Sequence, residues 1–340
     1  MTARVADPVL MLDPPCLPAG FFLRPVAPAD LAALEQQVRD IRRLDDDPTV
    51  SPEQVAAMLS DTRISLERDS CAVVDRHGAP VGATFLVPSQ ETGGERVWLA
   101  PGAVHPAYRR RGLGRVLLAW VVQRGEQEQR TLARGTRGCL RIDCRDCLAD
   151  RVALYERFGF APIRQFCHLR LDLPAALAPP PALPGGITLT PWNEAIDREV
   201  MDASGEIFAA HWASSAVTPA SWRRQVSGNP RFRGDLSVIA WRGRRVAGLC
   251  LGLIEPESGA ASADEAWVMQ LGVRADARGQ GLATALMRSI HARFLDSGFA
   301  RIWVSVDTDN PTEIMTLCTK LGYAPAARYL RFSRNLAGSR

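Results

Sequence analysis

The sequence predicts an α/β protein made of two copies of one unit, each a mixed β-sheet flanked by helices. A proline- and alanine-rich stretch divides the 340-residue chain near its middle. Each half contains a short glycine loop between a predicted strand and a predicted amphipathic helix, and matching residues of the two loops are separated by the same 169 positions. One order of elements repeated on both sides of a linker indicates tandem domains.

The linker sets the predicted domain boundaries. Its prolines, among them Pro179, Pro180 and Pro181, lack the N–H that a helix or a sheet needs. We expect an N-terminal extension at 1–19, a first domain at 20–173, the linker at 174–186 and a second domain at 187–340. Each half has strands and helices of its own, so we expect each to form its own core.

The repeat is seen most clearly around the glycine loops. The matching pairs are Trp98 with Trp267, Arg109 with Arg278, and Gly112 with Gly281. An apolar helix follows each loop, at Leu113 to Gly125 and at Leu282 to Ser297. Each half also has a strand–turn–strand pair before the loop, and a strand and a second helix after it. The second helix ends on Gly159-Phe160 in one half and on Gly322-Tyr323 in the other.

Composition excludes several classes of protein. Hydrophobic residues make up 46% and charged residues 23%, which is typical of a soluble globular chain. The net charge of +4 is small for this length, so we expect no nucleic-acid partner. No apolar run reaches the roughly 20 residues of a membrane helix, and the first residues do not resemble a signal peptide. We therefore expect a cytoplasmic protein without a membrane partner.

The cysteines do not predict a metal site. Eight cysteines without a secretory signal are typical of reduced cytosolic thiols. Cys144 and Cys147 have the spacing of a zinc knuckle, and Cys167-His168 follows later. A zinc site needs four ligands, and no second knuckle is present, so no metal is expected.

The chemistry of the glycine loops indicates a pyrophosphate site. Gly112 and Gly114 in the first half, and Gly279 and Gly281 in the second, let the backbone approach a ligand without a Cβ in the way. A helix that begins there adds unpaired N–H donors and a partial positive charge. Neither loop has the Gly-Lys-Ser/Thr ending of a nucleotide P-loop, and the third glycine of a dinucleotide fold is absent.

At these residues the chain resembles the GNAT acetyltransferase superfamily, and its double-domain plan resembles the mycothiol synthase-like subgroup. The segments 208–214 and 306–312 support that subgroup. The resemblance implies two tandem GNAT folds, each a splayed mixed sheet, with acetyl-CoA or another acyl-CoA as co-substrate. It also implies direct attack of an amine on the thioester, assisted by positioning and by a strand N–H that stabilises the oxyanion.

The resemblance also implies the residues that bind acyl-CoA. In the second half they are the pantetheine-pairing strand residues, the pyrophosphate loop and one asparagine: Leu271, Gly272, Val273, Arg278, Gly279, Gln280, Gly281, Leu282, Ala283 and Asn310. In the first half the counterparts are Val104, Arg109, Arg110, Arg111, Gly112, Leu113 and Gly114.

The catalytic residues depart from the family pattern. Trp98 and Trp267 occupy the positions at which the family carries an acidic general base. Glu265 shares a face with Trp267 by strand alternation, and both a water relay from Glu265 and a solvated strand-end carboxylate remain open. The position of the family's general acid, a tyrosine, is held by Tyr155 in the first half and by Cys318 in the second.

We expect the chemistry in the second half, because Pro101 interrupts the corresponding strand of the first half. Trp267 and Trp212 are candidates for the acceptor pocket. The leading hypothesis is an N-acetyltransferase acting on a small-molecule amine, as a monomer or weak dimer. A peptide or protein amine as acceptor, and a non-catalytic acyl-CoA-binding protein, are the alternatives.

Overall fold

The computed structural model of the chain describes residues 17–45, 51–89, 95–173, 181–209, 211–212, 216–254, 264–309 and 314–336. The strands of the first half are β1 (Phe21–Arg24), β2 (Ser70–Asp75), β3 (Pro80–Phe85), β4 (Val87–Pro88), β5 (Glu95–Leu99), β6 (Gly102–Val104), β7 (Arg137–Arg145) and β8 (Ala161–Asp172). Its helices are α1 (Leu31–Asp45), α2 (Pro52–Ser60), α3 (Leu66–Asp69), α4 (Leu113–Thr131) and α5 (Ala149–Arg157).

The second half repeats this order with fewer elements. Its strands are β9 (Ile187–Thr190), β10 (Val238–Arg242), β11 (Arg245–Ile254), β12 (Glu265–Val273), β13 (Arg301–Asp307) and β14 (Ala324–Asn335). Its helices are α6 (Asp197–Ile207), α7 (Pro219–Gln225), α8 (Leu282–Asp296) and α9 (Ile314–Lys320). The structure thus confirms the predicted mixed α/β class. Within the described residues, no helix is both long enough and apolar enough to cross a membrane.

The chain forms two compact units. Unit 1 comprises residues 1–164 and 329–340, and unit 2 comprises residues 165–328. In unit 1 the strand orders are β1-β2-β3-β6 and β4-β5-β7-β14, and in unit 2 the order is β9-β10-β11-β12-β13-β8. Of the strand pairs in each unit, β5 with β7 and β12 with β13 are parallel. Each unit therefore contains a mixed sheet, and unit 1 also contains the antiparallel sheet β1-β2-β3-β6.

Helices pack on two sides of the strands in each unit. In unit 1, α4 packs against one core cluster, which includes Leu117 and Leu140, and α1 packs against another, which includes Leu34 and Phe85. In unit 2, α8 packs on one face, and α6 and α7 pack on the other. The apolar positions of α8 recur every four residues, so Leu286, Ile290 and Phe294 are fully buried on one side of the helix.

The last strand of each half belongs to the other half's unit. Strand β8 pairs antiparallel with β13, from Asp172 opposite Arg301 to Phe166 opposite Asp307. Strand β14 pairs antiparallel with β7, from Tyr329 opposite Arg145 to Asn335 opposite Cys139. The compact units are therefore not the same as the predicted domains, 20–173 and 187–340.

The exchanged strands carry core residues with them. Leu169 of β8 is 1% exposed and lies in the unit 2 core. Phe332 of β14 is fully buried in the unit 1 core, where its ring packs edge-on against Tyr155 at 5.5 Å between centroids. Separation of the chain at the linker removes a buried strand from each unit.

We expect substitutions in the exchanged strands to destabilise the unit in which each strand lies. Phe332→Ala should cost about 3–5 kcal/mol and Leu169→Ala about 2–5 kcal/mol, because both empty a packed core. Hydrogen exchange read by mass spectrometry checks the location. Protection should fall first in β7 for Phe332→Ala and in β13 for Leu169→Ala. Loss of protection confined to the half that carries the substitution would contradict the exchange.

Candidate active site

Two parallel strands of unit 2 part at the centre of the sheet. The pairing of β12 with β13 runs from Glu265 opposite Arg301 to Val268 opposite Val304 and ends there. Strand β12 continues to Val273, while β13 continues paired with β8. The second part of β12 thus has a backbone edge toward the gap, where an extended ligand arm can add to it.

A β-bulge lies on β12 at the same point. The pairing with β11 steps from Gln270 opposite Leu251 to Val268 opposite Gly252, which leaves Met269 as an extra residue. A bulge disrupts the ladder locally and turns the side chains on its two sides to opposite faces. Upstream, Ala266 and Val268 face α8, and Trp267 lies on the other face.

The corresponding strand of unit 1 has no such bulge. Its register with the partner strand is constant from Val104 opposite Gly82 to Trp98 opposite Pro88. Pro101, whose nitrogen carries no proton, stands at the position of Gln270. Trp98 is consequently 3% exposed in the α4 core, so the expected equivalence of Trp98 and Trp267 does not extend to the faces they occupy.

The loop before α8 has the geometry of an anion cradle. Gly279 and Gly281 have φ of +73° and +78°, a left-handed conformation that favours glycine. A Cβ at either position would meet no atom within 4 Å, so the space above the loop is open. Gly281 is the N-cap of α8 and no side chain caps it, which leaves the first N–H groups directed at that space.

The other predicted cofactor residues of unit 2 support this loop. Arg278 donates from Nε to the Val273 carbonyl at 3.0 Å, and Gln280 accepts from Arg242 at 3.0 Å. Leu271, Val273, Leu282 and Ala283 pack with the α8 core. Gly272 faces α6, where a Cβ would lie 2.5 Å from Ile207 and 3.0 Å from Phe208. Asn310 lies outside the described residues.

The first loop is built differently. Arg109 repeats the contact to the strand end, from Nε to the Val104 carbonyl at 3.3 Å, and its two Nη atoms bind Asp45 at 2.7 Å each. Arg110, which occupies the position of Gly279, has φ of +59°. A side chain in that region carries backbone strain. Arg111 lies over the Tyr108 ring at 5.4 Å.

A cavity of about 480 Å³ brings the first-half residues together. The predicted cofactor and acid residues that line it are Val104, Arg109, Arg110, Gly112, Leu113, Gly114 and Tyr155. Tyr155 is 5% exposed overall and packs between Phe160 and Phe332. The cavity thus brings together residues of the first half that the resemblance assigns to acyl-CoA binding.

Glu265 is bound by an arginine. Its carboxylate accepts from Arg301 Nε at 2.8 Å, and the Arg301 Nη2 group binds Asp264 at 2.7 Å. Glu265 also lies three residues before the strands part, a distance of about 10 Å along β12. The ion pair holds this carboxylate away from the gap, an arrangement that does not favour Glu265 as the general base.

Cys318 lies in the core of unit 2 with no exposed surface. Burial raises the pKa of its thiol to about 12. Nearby, Tyr323 and His291 form a buried hydrogen bond of 2.8 Å, and burial lowers the pKa of His291 to about 4. Because the buried Cys318 thiol fills core space and keeps its proton, this environment does not favour it as the general acid.

An aromatic cluster occupies the face of unit 2 on which Trp267 lies. Trp267 stacks on Trp303 at 5.6 Å, and His168 meets Trp267 edge-on at 5.3 Å. The buried Nε1 groups of Trp267 and Trp303 have no hydrogen-bond acceptor among the described residues. Trp212 is half-buried after α6. The sequence did not predict an acceptor-site role for Trp303 and His168. Their position beside Trp267 depends on the pairing of β13 with β12 and β8, which the sequence did not predict.

The metal-binding residue types do not gather at this site. Within the described ranges, no group of three or more His, Cys, Asp and Glu side chains could hold a metal ion.

The family profile of the Acetyltransferase (GNAT) family matches residues 36–160 and 198–323. The chain belongs to this family. The two matches cover both units, so the protein is a tandem GNAT acyltransferase, as the glycine loops predicted. The repeated order of strand, loop, helix, strand and helix is therefore two GNAT folds.

The similar proteins are named as acetyltransferases. A mycothiol acetyltransferase of Catenulispora acidiphila is 26% identical over 87% of this chain and 92% of its own length. A mycothiol acetyltransferase of Salinispora tropica is 30% identical over 75% and 78%. The crystal structure of a GCN5-related N-acetyltransferase from Sphaerobacter thermophilus has a TM-score of 0.75 at 23% identity, over 95% of this chain and 98% of that one.

We expect Gly281→Ala to weaken acetyl-CoA binding beyond its effect on folding. A Cβ in the left-handed conformation strains the loop that must cradle the pyrophosphate. The matched control is Gly298→Ala, which has φ of +87° and equally open space. Both variants should lower the melting temperature, but only Gly281→Ala should reduce the further rise on adding acetyl-CoA. If Gly112→Ala alone removes that rise, the first loop is the binding site.

The buried thiol predicts selective labelling. Iodoacetamide attacks the thiolate, so Cys318 should stay unmodified in the folded protein at pH 8, while the exposed Cys147 reacts. Peptide mass spectrometry after a timed reaction measures both. Equal labelling of the two cysteines before denaturation would show that Cys318 is accessible to substrate.

Proposed function

We propose that the protein transfers an acetyl group from acetyl-CoA to an amine of a small molecule, and that unit 2 carries out the chemistry. The observation that carries this assignment is the bulge at Met269 on the strand that parts from β13. A bulge releases backbone N–H groups from the ladder, and such a group is the donor that a thioester oxyanion needs.

The loop before α8 and the edge of β12 suit acetyl-CoA as the acyl donor. The open space above Gly279 and Gly281 accommodates a pyrophosphate at the α8 N-terminus. The edge of β12 between Met269 and Val273 accommodates an extended pantetheine arm. These two features adjoin, because Arg278 connects the loop to the Val273 carbonyl. The thioester then lies near the bulge, at the end of the arm.

The aromatic cluster supports a small acceptor. Trp267 and Trp303 offer a stacked apolar surface beside the gap. The similar proteins from Catenulispora and Salinispora carry the name mycothiol acetyltransferase, which favours an acceptor of that chemical type. The cavity of unit 1 could also hold acyl-CoA, but Pro101 in place of Gln270 removes an N–H from its strand.

We expect acetyl-CoA to raise the melting temperature and to be consumed when a primary amine is added. Glucosamine, an S-blocked cysteine amide and kanamycin serve as probes, with a short peptide as the alternative acceptor. Trp267→Ala should lower turnover about 10–100-fold by loosening the acceptor. Tyr155→Phe, the control in unit 1, should leave turnover unchanged. Mass spectrometry of the acetylated amine measures both.

Two results would contradict the proposal in different ways. Turnover lost in Tyr155→Phe but kept in Trp267→Ala would move the chemistry to unit 1. Binding of acetyl-CoA without turnover of any amine would make the protein a non-catalytic acyl-CoA binder.

A further inference from the structure

The exchanged strand β8 places an imidazole beside the gap in unit 2. His168 lies opposite Ser305 in the pairing of β8 with β13. Ser305 is the first residue of β13 beyond the last pair with β12, which is Val304 with Val268. His168 is therefore adjacent to the point at which β12 and β13 part.

The ring of His168 is directed along the sheet toward β12. Its centroid lies 5.3 Å from the Trp267 ring, with the planes at 82°, so the two rings meet at β13, which lies between their strands. The side chain is half-buried, whereas Ser305, opposite it on β13, is exposed. The imidazole, Trp267 and Ser305 thus lie on one face of the sheet, next to the point at which β12 and β13 part.

The charged groups on the strands that carry this face make contacts of their own. They are Arg164, Arg170 and Asp172 on β8, Arg301 and Asp307 on β13, and Glu265 on β12. Arg170 binds Asp172 at 3.1 Å and lies over the Trp303 ring at 5.8 Å, and Arg301 binds Glu265. Asp307 is buried and accepts from the Asp309 N–H at 3.0 Å. Imidazole is the side-chain type that accepts a proton near neutral pH, and His168 supplies one on this face.

We propose that His168 is the proton acceptor for the acceptor amine in unit 2, an assignment that rests on the proposed function. The amine nitrogen forms a bond to the acetyl carbonyl carbon, and the carbon–sulfur bond of the thioester breaks. The proton leaves the nitrogen for the His168 imidazole. It then passes to the departing sulfur, so the products are the amide and the CoA thiol, and the imidazole returns to its neutral form.

The role of His168 accounts for both ways in which unit 2 departs from the family pattern, the missing acidic base and the missing tyrosine. Trp267 positions the imidazole at the place where an acidic base is missing. The proton that His168 holds neutralises the thiolate, so the buried Cys318 has no role in the transfer. The catalytic group comes from the residues before the linker, although the cradle and the gap come from those after it.

The test compares His168→Gln with His77→Gln. His77 is an exposed histidine of the β2–β3 turn in unit 1, so its replacement controls for the loss of a histidine. With acetyl-CoA and the best amine of the probe panel, His168→Gln should lower kcat about 10²–10⁴-fold, the usual range for a positioned base. His77→Gln should stay within about twofold of the unchanged protein. Melting temperatures with and without acetyl-CoA show that both variants fold and bind.

The pH profile separates a proton acceptor from a packing residue. When amine and imidazole must both be neutral, log kcat/KM rises with a slope of two on the acid side of both pKa values. In His168→Gln the slope should fall to one, since only the amine still titrates. Added imidazole should restore part of the turnover of His168→Ala. A slope of two in His168→Gln, or turnover within about twofold of the unchanged protein, overturns the assignment.

The two proposals fail in distinguishable ways. If the unchanged protein acetylates a probe amine and His168→Gln does so equally well, only the role of His168 is overturned. If the unchanged protein acetylates no amine while acetyl-CoA still raises its melting temperature, the proposed function fails and the role of His168 falls with it.

Discussion

The separation of β12 from β13 is the constraint on which the site of unit 2 depends. A parallel pair that stayed joined along its whole length would satisfy every backbone group within the sheet, and no ligand could pair with it. The strands can part because β13 keeps its other partner, β8, through Asp307. Strand β12 keeps β11 through Val273. The gap therefore costs hydrogen bonds on one side of each strand only.

The two units illustrate how one residue changes the use of a repeated strand. Met269 makes β12 one residue longer than its partner segment, and this turns Trp267 away from the α8 core. In unit 1 the register is constant through Pro101, and Trp98 is packed under α4 beside Gly138. Equal spacing along the sequence thus places one aromatic residue in the core and the other on the opposite face of its sheet.

The local features of the fold could be predicted from the sequence, whereas the long-range ones could not. Gly281 and Leu282 mark the loop and the start of α8, because conformation and periodicity are local properties. The exchange of β8 and β14 cannot be predicted from local sequence, since Leu169 and Phe332 would be core residues in either half. Strand alternation makes Glu265 a candidate general base, but its ion pair with Arg301 depends on the register between two strands, which is a long-range property.

The strand exchange has a consequence for how such a protein can evolve. A gene that arose by duplication can ordinarily lose one copy by recombination and still encode a complete domain. Here a deletion at the linker would leave a domain without the strand that completes its sheet, with an unpaired edge open to aggregation. The duplication is therefore difficult to reverse, because the first half supplies the strand that pairs with β13. Selection on unit 2 then constrains β8, a segment encoded in the other copy.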